Sequence, residues 1–397
     1  MKSVGVKTKR RDLLIFYYIF FIYGFSFIII HPLLPIIADQ IDVGFDRIGI
    51  ALLIGYASSL ISSFSAGSLS DRLDNKKLIM LGLSLLCVAF TIFGSYLNYI
   101  SFIFVIILLR VGFGIIDAVV HSFSSKLFKK NISRIFLNLN LSWYLGAFVG
   151  PLVISIILYF NFSPRYLFFI LVIFYGLLAV IFYRTYSKRK IQKNGFFSSK
   201  EMDFSFKKYL EALKDPAVIM GSLTLFFYIG STMGLSSWMT TYFLSIGLNT
   251  AYGSAVLSLY WFFSSIGLII ISRIISRFRE ITILFFGCLA GTACLFIFSS
   301  VHNVYIKIVA LIIQAILFVG IFPLVTAILV KRKFEKSGTI LGFNLAFSFA
   351  GSMVFQPLFG YVAEYFGKNY IPFIALTGTL IGLIFAGLLF RIINQGV

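Results

Sequence analysis

The chain alternates between long apolar runs and short polar breaks. Runs dominated by Leu, Ile, Val, Phe and Ala fall near residues 13–34, 47–69, 78–97, 101–123, 136–160, 166–185, 217–245, 253–275, 281–300, 305–330, 338–363 and 370–393. A bilayer core about 30 Å thick takes about 20 apolar helical residues to cross. The pattern therefore predicts an all-α membrane protein with twelve transmembrane helices. The longest polar interruption, 186–216, is rich in Lys, Ser and Glu and lies near the midpoint. The expected organisation is a six-helix bundle over 1–185, a linker over 186–216 and a second six-helix bundle over 217–397.

Composition agrees with this picture. Hydrophobic residues make up 59% of the chain and charged residues only 12%, against about 25% charged in a soluble domain. Cys87, Cys288 and Cys294 lie inside apolar runs. They read as small core residues, not a disulfide framework. The first apolar run follows Lys9-Arg10-Arg11-Asp12, is too long for a signal peptide and has no small-residue cleavage site after it. It reads as the first spanning helix.

The net charge of +20 could suggest nucleic acid, but the placement of the charge excludes that reading. With the N-terminus inside, the segments on the cytoplasmic side hold 29 of the 34 Lys and Arg, and the outer segments hold Arg47, Arg165, Lys307 and Lys368. This is the positive-inside pattern, and it predicts two cytoplasmic termini in a cytoplasmic membrane. A monomer surrounded by lipid is expected.

The two halves carry faint internal symmetry, as transporters with parallel repeats do. Gly67 to Arg72 ends the second helix, and Gly267 to Arg273 ends the eighth. Gly150-Pro151 in the fifth helix matches Gln356-Pro357 in the eleventh.

Three motifs resemble the major facilitator superfamily. Gly67-Ser68-Leu69-Ser70-Asp71-Arg72 with Lys76 and Lys77 resembles its G-x-L-x-D-R loop signature and falls in the expected cytoplasmic loop. Asp74-Asn75 stands where the family usually has Gly-Arg. The resemblance implies that Gly67, Asp71, Arg72 and Lys76 help hold the cytoplasmic side closed. Arg110-Val111-Gly112-Phe113-Gly114 is similar to the R-x-x-x-G pattern of the fourth helix. Gly146-Ala147-Phe148-Val149-Gly150-Pro151 resembles the Gly-Pro motif prominent in antiporters. Small residues at Gly146 and Gly150 let helices approach closely, and Pro151 lets them bend. In the second half, Gly234 to Tyr242 and Gly320-Ile321-Phe322-Pro323 resemble stretches of the fucose-type sugar carriers, as does Gly351 through Gly360. The resemblance implies two pseudo-symmetric bundles that rock around a central site.

Ionisable groups inside a bilayer cost at least about 2.5–3.5 kcal/mol each, so those present are functional candidates. The fourth helix carries Arg110, Asp117 and His121 at offsets 0, 7 and 11. That spacing places them on one stripe. Asp117 is the expected proton carrier, tuned by Arg110 and His121. The competing reading is a static ion pair that packs the helix. The first helix has no acid between Leu13 and Ile30, where fucose-type symporters carry one, and Thr232 stands where their relatives often have Glu. Uniport therefore stays open. His31-Pro32 and the acids Asp39, Asp42 and Asp46 read as a solvated helix-end loop without a role.

Neutral polar groups supply the candidate substrate contacts. They are Asn140, Trp143, Trp238, Tyr242, Gln314, Asn344 and Gln356. Side-chain amides can bond adjacent hydroxyls, and aromatic rings stack on the apolar face of a sugar. Each has a plainer alternative: Trp and Tyr form interfacial belts, and Asn and Gln bond helices together. The inventory suits a small neutral organic solute better than a strong anion.

No metal-ligand spacing, nucleophile triad or phosphate-binding G-x-x-x-x-G-K-[ST] occurs. The expectation is a non-enzymatic secondary transporter without cofactor, which moves a sugar-like solute with a proton as the partner ion. The alternative is a proton-driven exporter of lipophilic drugs or metabolites, which the Gly-Pro motif and the abundance of Phe would suit.

Overall fold

The structure is a computed structural model that describes residues 2–95, 97–128, 132–186, 215–332 and 337–395. Twelve helices among them are long and apolar enough to cross a membrane. We label them α1 (Arg11–Gln40), α2 (Phe45–Gly67), α3 (Asn75–Gly94), α4 (Tyr99–Ser124), α5 (Ile135–Tyr159) and α6 (Arg165–Tyr186). The second six are α7 (Pro216–Ser245), α8 (Thr250–Ile274), α9 (Glu280–Ser300), α10 (Val304–Arg332), α11 (Gly342–Tyr365) and α12 (Lys368–Gln395). No strand occurs among the described residues. Of the expected linker, 187–214 lie outside the described residues.

Side-chain caps fix where several helices begin. Asp74 accepts the Lys76 N–H ahead of α3, and Asp215 accepts the Ala217 N–H ahead of α7. Asn98, Asn249 and Asn303 do the same for α4, α8 and α10. Each satisfies backbone donors that a helix start leaves unpaired.

Two spans are interrupted. In α1, helix ends at Ile28 and resumes at Leu34 after a 3-10 turn over His31–Leu33. Pro32 disfavours helical backbone at His31 before it. In α10 the break falls between Phe318 and Ile321. Pro323 lies just beyond and has no N–H to offer the carbonyl four residues back.

The chain forms two compact units. One comprises Met1–Ile30 and Ser58–Lys200, the other His31–Ala57 and Glu201–Val397. In the first, Gly24 and Gly146 bring the backbones of α1 and α5 together. A Cβ on Gly146 would strike the Phe21 carbonyl oxygen, and one on Gly150 would come within 2.6 Å of the Phe25 carbonyl oxygen. Gly82 and Gly112 bring α3 to α4, and Gly114 brings α4 onto Ser62 and Ser63 of α2.

The second unit repeats these contacts six helices later. Gly351 of α11 meets the Phe226 backbone of α7, Gly291 of α9 meets Phe318 of α10, and Gly267 of α8 meets Ile316 of α10. Close approach through small residues replaces the hydrophobic effect as the force that joins helices in lipid.

Candidate functional site

Within the first unit, one aromatic and ionic cluster joins α1, α4 and α5. Residues Phe16, Phe20, Tyr23 and Phe27 of α1 are spaced by 4, 3 and 4, so they share one face. Tyr23 stacks on Phe113 at 5.0 Å between centroids and meets Trp143 edge-on at 6.0 Å. Phe27 contacts the same two rings at 5.5 and 5.9 Å. The Arg110 guanidinium lies 3.9 Å from the centroid of the Phe27 ring. Arg110 itself is buried, and its carbonyl accepts from Ser59 Oγ of α2 at 3.1 Å.

At the other end of this cluster is the Asp117–His121 pair. His121 Nδ1 lies 3.7 Å from Asp117 Oδ1 and 2.8 Å from the Asp117 carbonyl oxygen. The His121 ring packs edge-on against Phe20 at 5.0 Å and Phe136 at 4.9 Å. Arg110 and Asp117 are about 10 Å apart along the helix, at about 1.5 Å per residue. Both Asp117 and Trp143 are half-buried. The stripe expected on α4 is thus anchored to α1 by rings. Tyr23 and Phe27 are the members that sequence reasoning overlooked. Their signal was the spacing of aromatic residues in the first run, concealed by the abundance of Phe there.

Asn140 stands apart at an exposed position, with its amide donating to the Phe136 carbonyl at 3.0 Å. Just past α2, Ser70 Oγ donates to the Gly67 carbonyl at 2.7 Å and lies 3.0 Å from Ser122 Oγ. Lys76 pairs with Asp74 at 3.2 Å. The side chains of Asp71 and Arg72 lie outside the described residues. Pro151 lies inside the helix of α5, one residue past Gly150.

The remaining candidates lie in the second unit. Trp238 is fully buried and donates its indole N–H to Gln356 Oε1 at 3.1 Å. Gln356 Nε2 donates to Ser237 Oγ at 2.9 Å. Asn344 accepts from Ser222 Oγ at 3.1 Å and donates to Thr326 Oγ1 at 3.2 Å, which ties α11 to α7 and α10. Tyr242 sits edge-on to Phe298 at 5.2 Å. Beside it, Lys307 is buried and donates to the Phe298 carbonyl at 2.6 Å, at the last turn of α9. A residue counted as an outer-loop charge therefore caps a helix C-terminus.

Gln314 differs from these. It is fully buried, and neither its Oε1 nor its Nε2 has a hydrogen-bond partner among the described residues. Lys307 and Phe318 flank it at offsets of 7 and 4 on the same face of α10. An unmatched buried amide costs about 1–3 kcal/mol, so a polar guest there would be stabilised. No group of His, Cys, Asp and Glu suited to a metal occurs among the described residues.

Comparisons with known proteins now bear on this geometry. The sequence profile of the Major Facilitator Superfamily matches residues 16–353. The chain is 24% identical over 355 residues to the glucose/mannose transporter GlcP of Bacillus subtilis, covering 87% of this chain and 86% of that one. Among solved structures, a bacterial homolog of the human lysosomal transporter Spinster matches with a TM-score of 0.78 at 14% identity, covering 97% of this chain and 96% of that one. The fucose:proton symporter FucP of E. coli matches with a TM-score of 0.64 at 18% identity, covering 95% and 98%. These likenesses to solved structures show a shared fold. Motifs, fold and profile agree: the chain is a transporter that belongs to the Major Facilitator Superfamily.

Proposed function

We propose that this transporter moves a small neutral polyhydroxylated solute, a sugar in class, together with a proton. The observation that carries the reading is the single cluster in the first unit. There the half-buried Trp143 and Tyr23 lie in one chain of contacts with the Asp117–His121 pair. A sugar ring stacks on the aromatic faces. Asp117 takes up and releases the proton, with His121 one turn away to share it. Arg110, fixed over Phe27, positions the cluster and supplies positive charge at its far end.

In the second unit, Gln314 is a separate candidate contact, since both its amide atoms lack partners among the described residues. Trp238, Gln356 and Asn344 have partners already and serve first to hold α7 and α11 together. Tyr242 supports Lys307. Asn140 is too far along its helix to be assigned a contact.

The transported class also draws on the relatives. GlcP is described as a glucose/mannose transporter and FucP as a fucose:proton symporter. The bundles that alternate are 1–185 and 217–397, joined by 186–216. The placement of Lys and Arg puts both termini on the cytoplasmic side of the cell membrane. We take the working unit to be a monomer.

The test is ligand-induced thermal stabilisation of the purified protein with a panel of sugars, amino acids, carboxylates and lipophilic cations. A ligand stabilises the state it binds by mass action, so a site of modest affinity registers. A shift with sugars alone supports the reading. A shift with lipophilic cations and none with sugars replaces it with the exporter.

A further inference from the structure

Within the second unit, the exposed apolar surface of α8 and α9 runs into a basic turn. On α8 the exposed Ile269 and Ile270 are followed by Arg273, and Arg277 comes one turn later. The backbone keeps turning past the end of the helix. The Ile275 N–H donates to the Ile271 carbonyl at 3.0 Å, and the Arg277 and Phe278 N–H groups donate to the Ile274 carbonyl at 2.9 and 3.2 Å. Arg273 and Arg277 therefore continue the face on which Ile269 and Ile270 are exposed. On the other side of the turn, Arg279 precedes α9 and stands two turns before the exposed Phe286. That spacing puts the two on one stripe. Both apolar stripes thus end at the same group of arginines.

Arg273, Arg277 and Arg279 are all exposed. Between the last two stands Phe278, 61% exposed. The next acid along the chain, Glu280, is engaged by Lys331 at the end of α10. Among the described residues none of the three arginines forms an ion pair. Like charges gathered at the end of a membrane span repel one another, and here no carboxylate of the turn offsets them. An exposed aromatic ring among them is unfavourable in water but suits the boundary between headgroups and acyl chains.

We propose that Arg273, Arg277 and Arg279, with Phe278, form a docking site for an anionic phospholipid. The guanidinium groups donate to the phosphate oxygens, for which their planar fork is well matched. Phe278 lies at the level of the headgroup boundary, and the acyl chains run along Ile269, Ile270 and Phe286. The apolar stripes decide between sources of phosphate. A free phosphate ion would use the arginines and leave the stripes and Phe278 without a role, whereas a phosphate that carries acyl chains uses all of them. This site is separate from Asp117 and Gln314 and does not depend on which solute is carried.

The test is native mass spectrometry of the full chain in a nonionic detergent, with equal amounts of phosphatidylglycerol and phosphatidylcholine of the same acyl composition. The native chain should hold phosphatidylglycerol in preference by about tenfold or more, since each arginine near an anionic headgroup contributes about fivefold. R273Q/R277Q/R279Q should lower that ratio by at least about tenfold. R165Q/R184Q/R391Q removes the same charge from exposed positions elsewhere and should keep the ratio within about twofold of native. All these positions are exposed, so both variants should melt as the native chain does. A large excess of inorganic phosphate should displace neither lipid. A native ratio near one, a ratio that R273Q/R277Q/R279Q leaves intact, an equal loss in both variants, or displacement of phosphatidylglycerol by phosphate overturns the proposal.

Discussion

His121 Nδ1 lies 3.7 Å from Asp117 Oδ1, one helical turn along α4. The same nitrogen lies 2.8 Å from the Asp117 backbone carbonyl. A proton on that nitrogen is within hydrogen-bond distance of the backbone carbonyl, with the carboxylate just beyond. The Phe20 and Phe136 rings hold the imidazole edge-on from two sides. The imidazole is thus held between two rings, with the carboxylate beside it. This pair is the site of the proposed proton transfer, and substitution of Asp117 tests it.

If Trp143 is a stacking surface for solute, shortening it weakens binding while the helix stays intact. W143A should lower the affinity for a stabilising sugar about tenfold, since a lost aromatic stack is worth about 0.5–1.5 kcal/mol beyond its area. W143F should recover much of that. Isothermal titration calorimetry reads both. An unchanged Kd for W143A removes Trp143 from the site.

Gln314 predicts a separation of stability from binding. Q314L removes two buried polar atoms that lack partners. The ligand-free protein should melt at the same temperature or higher, because an unmatched buried group costs about 1–3 kcal/mol. The added stabilisation by sugar should fall sharply. A lower melting temperature with an undiminished sugar response contradicts the assignment.

Gln356 predicts the reverse. Q356L leaves the Trp238 indole N–H and the Ser237 oxygen each short of a partner. Stability should fall by about 1–3 kcal/mol. The affinity of the protein that remains folded should change little. Thermal unfolding with and without ligand separates the two quantities. A large loss of affinity at full stability returns Gln356 to the solute.

The twelve spans were legible because an apolar run of membrane length has few other uses. The match between the Gly150-Pro151 and Gln356-Pro357 positions was legible too, and both prolines lie within helices of the structure. The break in α1, next to Pro32 and Pro35, is invisible to hydropathy, which does not sense a helix interruption. Hydropathy alone puts His31 in a solvated loop, whereas the structure buries it completely. Lys307 reads as an outer charge because the sequence does not show that its tail reaches the end of α9. Tyr23 and Phe27 were lost among the 48 Phe and 21 Tyr of the chain. Where aromatic residues are this common, only tertiary contacts reveal which ones frame a charged pair.

Coupling of solute to proton through Asp117 has a direct test. The direct measurement is uptake of a stabilising sugar into proteoliposomes with and without an inward proton gradient, for the native chain and D117N. The native chain should accumulate sugar under the gradient, whereas D117N should not accumulate it but should still exchange sugar across the membrane. Accumulation by D117N equal to that of the native chain would contradict it.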